Sequence, residues 1–250
     1  MNKLALQLFS LREYTPDDLR GVLKKTAQMG YDAVEFAGLF GEDPAALRAY
    51  MDELNLGTMS FHVGLKALQE DLDAQIAAAK ALGGQYIACP ALPQRDTATV
   101  EDYKNAARFF TQVGQECRDN GLQFAFHNHQ WEFADLGGVT GMDILLENTL
   151  PQVCQVELDT AWCDYANYGT LNFMRKYAGR VPLLHIKDMH AFGEEDDCTI
   201  GQGAMDFAPI LQLAKAQGVD WYIVEQEYFD YDPFQSLKDG ADYLRPLLED

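Results

Sequence analysis

The chain has 250 residues, 48% of them hydrophobic, and carries 19 basic against 39 acidic residues for a formal charge of −20. That length buries one sizeable core, and a field of that sign repels phosphate backbones and anionic membranes at long range. Nucleic acid and membranes are therefore not expected as partners, and no apolar stretch approaches the length of a bilayer span. The five cysteines, Cys89, Cys117, Cys154, Cys163 and Cys198, are widely spaced, and Met1-Asn2-Lys3-Leu4-Ala5 opens no long apolar leader. Both features predict reduced thiols in a cytoplasmic protein.

In chain order, strand-like runs fall at Leu4–Phe9, Ala33–Phe36, Thr58–His62, Tyr86–Cys89, Gln123–His127, Cys154–Leu158, Leu183–Ile186 and Trp221–Glu225. Helical spacing fills the intervals. Thr15-Pro16-Asp17-Asp18 opens the first helix, and Gly30 and Gly121 follow the ends of two others. Tyr103, Ala106, Ala107, Phe110, Val113 and Cys117 recur at three or four residues and mark one buried face. Eight β-then-α units predict a single (β/α)8 TIM barrel over residues 1–250, with an open doubly wound sheet as the alternative. The segment Ala191–Gly203, with Glu194, Glu195, Asp196 and Asp197, reads as a solvated loop or as a cover for the site.

In such a barrel the active site lies where the strands end. The runs end in His62, in His127-Asn128-His129 with Glu132 beyond, in Glu157-Leu158-Asp159, in His185-Ile186-Lys187-Asp188 and in Glu225-Gln226-Glu227. Inward carboxylates are costly to bury unless they are paired or bind a cation. Mixed carboxylate and imidazole donors suit Mn²⁺, Co²⁺, Mg²⁺ or Zn²⁺, and such an ion can polarise a substrate oxygen while carboxylates move protons.

The motifs Leu6-Gln7-Leu8-Phe9-Ser10-Leu11-Arg12, His127-Asn128-His129-Gln130-Trp131-Glu132-Phe133, Glu157-Leu158-Asp159-Thr160-Ala161-Trp162, His185-Ile186-Lys187-Asp188-Met189 and Val224-Glu225-Gln226-Glu227 resemble the sugar phosphate isomerase/epimerase family. Its members have the xylose isomerase-like barrel, and the resemblance runs through the whole chain. It implies a divalent-metal site of Glu132, Asp159, His185 and Glu225, with Glu132 and Glu225 as the catalytic acid/base pair. Strand five departs from the ketose-epimerase pattern, which has a glutamate where this chain has His127. His127 is therefore the alternative to Glu132, and Glu227 the rival to Glu225. The superfamily also holds DNA-repair endonucleases, but this chain has too few histidines for a trinuclear cluster and is strongly acidic, where a DNA binder would want a basic groove.

Candidate substrate contacts are His62, His127, His129, Trp162, Lys187 and Glu157. His62 reads equally as a satisfied core histidine, Lys187 as a salt bridge to Glu157 or Glu225, and Asn128, His129 and Glu157 as braces that orient ligands. Arg12 either binds substrate or braces the first loop. The resemblance implies a metal-dependent isomerase or epimerase that moves a proton of a small keto- or aldo-sugar through an enediolate. The alternative is a lyase or dehydratase on a keto-inositol or 3-keto-glycoside, and a third reading is a non-catalytic sugar-binding barrel. No Gly-rich phosphate loop is present, so an unphosphorylated carbohydrate is the expected partner, with a homo-oligomer as a further expectation from relatives.

Overall fold

The strands of the computed structural model, which describes residues 3–193 and 195–249, pair in chain order and close on themselves. They are β1 (Lys3–Gln7), β2 (Ala33–Phe36), β3 (Gly57–His62), β4 (Tyr86–Cys89), β5 (Gln123–His127), β6 (Gln155–Asp159), β7 (Leu183–Ile186) and β8 (Trp221–Val224). β8 lies parallel to β1, with Lys3 opposite Trp221 and Leu6 opposite Val224. Closure of eight parallel strands removes the open edges that a doubly wound sheet would keep.

Helices cover the outside, so both faces of the strands are buried and the runs are mostly apolar, with polar residues gathered toward their C-terminal ends. Leu4, Leu6, Val34, Phe124, Phe126 and Leu184 pack outward against the helices. Ala5, Ala33, Tyr86, Ala125, Leu183 and Ile223 fill the axis instead. At the floor of the barrel the Tyr86 hydroxyl donates to Asp220, and Trp221 Nε1 donates to Gln85 at 3.2 Å.

The helix Val100–Asp119 shows why the pattern folds as it does. Thr99 and Asp102 satisfy its first N–H groups reciprocally, and the face predicted from spacing is the buried one. Fully burying a side chain such as Phe110 is worth about 1.5–3 kcal/mol. Gly114 lets this helix approach the turn before β6 closely, since a Cβ there would stand 1.6 Å from the Val153 carbonyl oxygen.

Four strands, β1, β3, β6 and β8, differ at their ends from the sequence reading, β3 only by starting at Gly57. β1 stops at Gln7 because Leu8–Leu11 turn into a single 3₁₀ turn, whose Phe9 N–H is accepted by the Gln7 side chain at 2.9 Å. β6 runs one residue later, ending on Asp159, and β8 ends at Val224, before Glu225. The acidic segment is more than a solvated loop. Asp197–Cys198 pair antiparallel with Asp188–Met189 and are buried, while Glu194 lies outside the described residues. All five cysteines are buried and free of disulfides, and no described helix is long and apolar enough to cross a membrane.

Candidate metal centre and cleft

Two residues beyond the axial Ala5, Ala33, Ala125, Leu183 and Ile223 stand Gln7, Glu35, His127, His185 and Glu225. Period-two alternation puts each pair on one face, so a polar layer caps the apolar plug. His62, Glu157 and Asp159 complete it. Oε2 of Glu157 lies 2.6 Å from Nε2 of His62, 3.1 Å from Nδ1 of His127 and 3.3 Å from Nε2 of His185. Oε2 of Glu35 lies 2.8 Å from Nε2 of His185 and 3.3 Å from Nε2 of His62. The other nitrogen of His185, Nδ1, is 3.0 Å from Oε2 of Glu225.

Burial opposes each of these charges, and the neighbours decide the outcome. Against burial, His185 and His62 hold the Glu157 carboxyl well below its usual range, and Lys187 and His185 do the same for Glu225. Burial likewise works against charge on His185 and His62, but the surrounding Glu157 and Glu35 raise both imidazoles. Where the neighbours compensate only in part, burial wins. It pushes Asp159 up to about 6 and His127 down to about 4, leaving His127 as the neutral imidazole that ligates metals.

Among the described residues, two groups of side chains could hold a metal ion, each with donor atoms within 4.8 Å of one another: His62, His127, Glu157 and His185, and His127, Asp159, His185 and Glu225. In the second group Oδ1 of Asp159 accepts from Trp162 N–H at 3.0 Å, whereas its Oδ2 is buried without a hydrogen-bond partner. A buried, unpaired carboxylate oxygen is costly, and a cation would satisfy it. Two imidazoles and two carboxylates suit a divalent ion.

A cleft of about 630 Å³ opens over this layer. His62, His127, His129 and Trp162 line it, as do Glu225 and Glu227. Phe9, Trp131 and Tyr228 form its outer apolar wall, and Glu195 reaches it from the acidic segment. Apart from histidine, Arg95 is the one basic side chain in the lining among the described residues.

Residues 23–247 match the xylose isomerase-like TIM barrel family. The chain belongs to that family. Among its relatives, the inosose dehydratase of Geobacillus kaustophilus (strain HTA426) is 24% identical over 94% of this chain and 88% of its own length. The structure of a sugar phosphate isomerase/epimerase from Parabacteroides distasonis ATCC 8503 is 25% identical, covers 99% of this chain and 100% of its own, and superposes with a TM-score of 0.85. The structure of the IOLI protein with a bound zinc atom shares the fold at a TM-score of 0.79, with 16% identity over 99% of this chain and 98% of that one.

Within this family barrel, the side chain of β5 that joins Asp159, His185 and Glu225 is His127. Glu132 stands outside both candidate groups and does not line the cleft. It lies in the turn Gln130–Phe133, fully buried, where its Oε2 accepts the His129 N–H at 2.8 Å and its Oε1 has no partner. Burial pushes its carboxyl up to about 7.

The remaining expected residues also find their places. Lys187 is 3% exposed and lies 2.7 Å from Glu227 and 3.7 Å from Glu225; Glu157 is not among its ion-pair partners. Glu225 joins the candidate metal group, while Glu227 meets the lysine. Asn128 clamps Asp159 by accepting its N–H at 3.0 Å, and its own amide reaches the Asp159 carbonyl at 3.3 Å. Arg12 braces the loop after β8, donating to the Glu227 carbonyl at 3.0 Å. His190 lies apart, 3.6 Å from Asp230.

Sequence reasoning missed Glu35, Gln7 and Asp197. A glutamate inside Ala33-Val34-Glu35-Phe36, otherwise apolar, was a readable signal, as was the glutamine between Leu6 and Leu8. Nothing in the acidic run distinguishes Asp197, whose carboxylate accepts the N–H groups of Glu227 and Tyr228 at 2.7 Å each.

Proposed function

We propose that this barrel is a metal-dependent lyase, a dehydratase that removes a proton beside the carbonyl of a small, unphosphorylated polyhydroxy ketone and expels a neighbouring hydroxyl. The observation that carries this reading is the unlikeness of the two walls. The segment after β8 contributes carboxylates, Glu225 and Glu227, whereas the ends of β3 and β5 and the turn beyond, flanking the strand opposite β8, contribute the imidazoles His62, His127 and His129. An epimerase returns a proton to the opposite face of the same carbon and runs in both directions, so two interchangeable groups serve it best. An elimination needs a base on one side and an acid for the leaving oxygen on the other.

His127, Asp159, His185 and Glu225 would hold the divalent ion. When bound, it polarises the substrate carbonyl and so acidifies the neighbouring C–H. Glu225 takes that proton on its carboxylate. His62, whose Nε2 is held by Glu157, gives a proton from Nδ1 to the departing hydroxyl, which leaves as water while the carbon–carbon double bond forms. Lys187 and Glu227 keep the β8 wall in place. Arg95 alone offers little for a phosphate, which supports an unphosphorylated substrate. The similarity to an inosose dehydratase along most of both chains makes a keto-inositol the first compound to try.

A second reading, isomerase or epimerase, is favoured by the likeness to the Parabacteroides distasonis protein over the whole chain. The test is to incubate the metal-loaded protein with keto-inositols, ketohexoses and 3-keto-glycosides in D2O, with Glu225→Gln as control. A dehydrated or cleaved product, absent with the variant, supports the lyase. Deuterium in an epimer or isomer selects the second reading. Binding without exchange across the panel removes both in favour of a sugar-binding barrel.

A further inference from the structure

We propose that Glu35, with Glu157, is a positioning residue that fixes the tautomers of His185 and His127, and so directs a divalent ion to the Asp159–Glu225 side of the polar layer rather than the His62–Glu157 side. This rests on the metal reading above. The chain of contacts starts at Gln7. Its side-chain Oε1 accepts the Phe9 N–H at 2.9 Å, so its amide NH2 is the group that meets Oε2 of Glu35 at 2.7 Å. That oxygen is thereby oriented as an acceptor, and it faces Nε2 of His185 at 2.8 Å.

Nε2 of His185 therefore carries a hydrogen. Its second near neighbour, Oε2 of Glu157 at 3.3 Å, is again an acceptor. Nδ1 faces a single carboxylate oxygen, Oε2 of Glu225 at 3.0 Å, which would itself be a ligand of the ion, so Nδ1 rather than the doubly held Nε2 is the nitrogen that gives up its hydrogen to ligate. The same logic applies to His127, whose Nδ1 meets Oε2 of Glu157 at 3.1 Å and whose Nε2 is left to ligate. Carboxylates that hold the far N–H of a ligating histidine fix its ring and raise its basicity. The His62–Glu157 side offers only nitrogens already engaged with these two carboxylates. Glu35, Gln7, Glu157 and His185 are all fully buried, so water cannot replace the missing acceptor if Glu35 is lost.

The test uses the whole chain labelled with ¹⁵N-histidine and zinc as the probe metal. Long-range ¹H–¹⁵N spectra report each tautomer, and competition with a chromogenic chelator reports zinc affinity. In the wild type, His185 is expected to show a protonated Nε2 and a zinc-bound Nδ1. Glu35→Met, which keeps the volume and removes the acceptor, is expected to mix the His185 tautomers and to weaken zinc about 10–100-fold. Glu35→Gln can keep an oxygen toward Gln7 and His185, so it should retain the wild-type tautomer and lose less affinity than Glu35→Met. If Glu35→Met fails to fold, Glu35→Asp carries the same test, since it keeps the charge and withdraws the oxygen by one methylene. A zinc-bound Nε2 on wild-type His185 overturns the proposal. So does unchanged tautomer and affinity in Glu35→Met or Glu35→Asp, or a loss in Glu35→Gln equal to that in Glu35→Met. A wild-type chain that takes up no zinc overturns the metal reading itself and this inference with it, which separates that failure from a failure of Glu35 alone.

Discussion

Nζ of Lys187 donates to Oε1 of Glu227 at 2.7 Å and is the cation around which Glu225, at 3.7 Å, and Asp197, at 3.9 Å, are gathered. With 3% of the residue exposed, water cannot take over its charge. Removing one partner of a buried ion cluster strands the others, typically at a cost of about 3–5 kcal/mol. Lys187→Met is therefore expected to lose that much stability at neutral pH in urea unfolding. A loss under about 1 kcal/mol would show that the carboxylates find another partner.

Asp159 and Glu132 make opposite predictions for metal uptake. Asp159→Asn should weaken Mn²⁺ or Zn²⁺ by about 100-fold or more, because losing a ligand costs at least as much as losing its outer partner. Glu132→Gln should leave the affinity nearly unchanged, since its carboxyl accepts the His129 N–H away from both donor groups. Equilibrium dialysis with each metal decides between them, and the reverse ranking would restore Glu132 as the ligand from the fifth strand–loop unit.

Glu132 also predicts a pH dependence of stability. Its folded-state value of about 7 stands above the ordinary 4.5, so the folded chain holds this proton more tightly than the unfolded one. Stability from this group is then greatest below the unfolded value, falls as pH rises toward 7 and levels off above it. The full swing is about 3 kcal/mol at 1.36 kcal/mol per pH unit. Glu132→Gln removes it, so the variant should gain on the wild type between pH 5 and pH 8 in urea unfolding. A difference that does not change with pH would show that Glu132 titrates normally.

Asp188 organises the loop that follows β7. Its Oδ1 accepts from Met189 and Met205 N–H at 2.9 and 3.0 Å, and its Oδ2 from Gly201 and Gly203 at 2.9 and 3.0 Å. Asp188→Asn turns one acceptor into a donor that faces two backbone donors. At about 1–3 kcal/mol for each group left unsatisfied, the substitution should destabilise the chain by about 3 kcal/mol. Hydrogen exchange should rise at Gly201 and Gly203, or at Met189 and Met205, according to which oxygen is replaced. Unchanged exchange at all four would mean that the loop is held elsewhere.

Alternating strands and helices, the first helix opened by Thr15-Pro16-Asp17 and two others followed by Gly30 and Gly121, determine eight βα units from sequence alone. Local rules suffice there, because each signal acts within a few residues. The same alternation also placed Asp159, His185 and Glu225 at inward strand ends. The tertiary structure alone decided which side chains meet. His127 and not Glu132 joins them, because the turn after β5 carries Glu132 back onto the His129 N–H. Lys187 turns to Glu227, and Glu35 reaches His185 from 150 residues away. The Glu35–His185 contact runs across the barrel, and strand closure, which no local pattern encodes, sets the distance between residues that far apart in the chain.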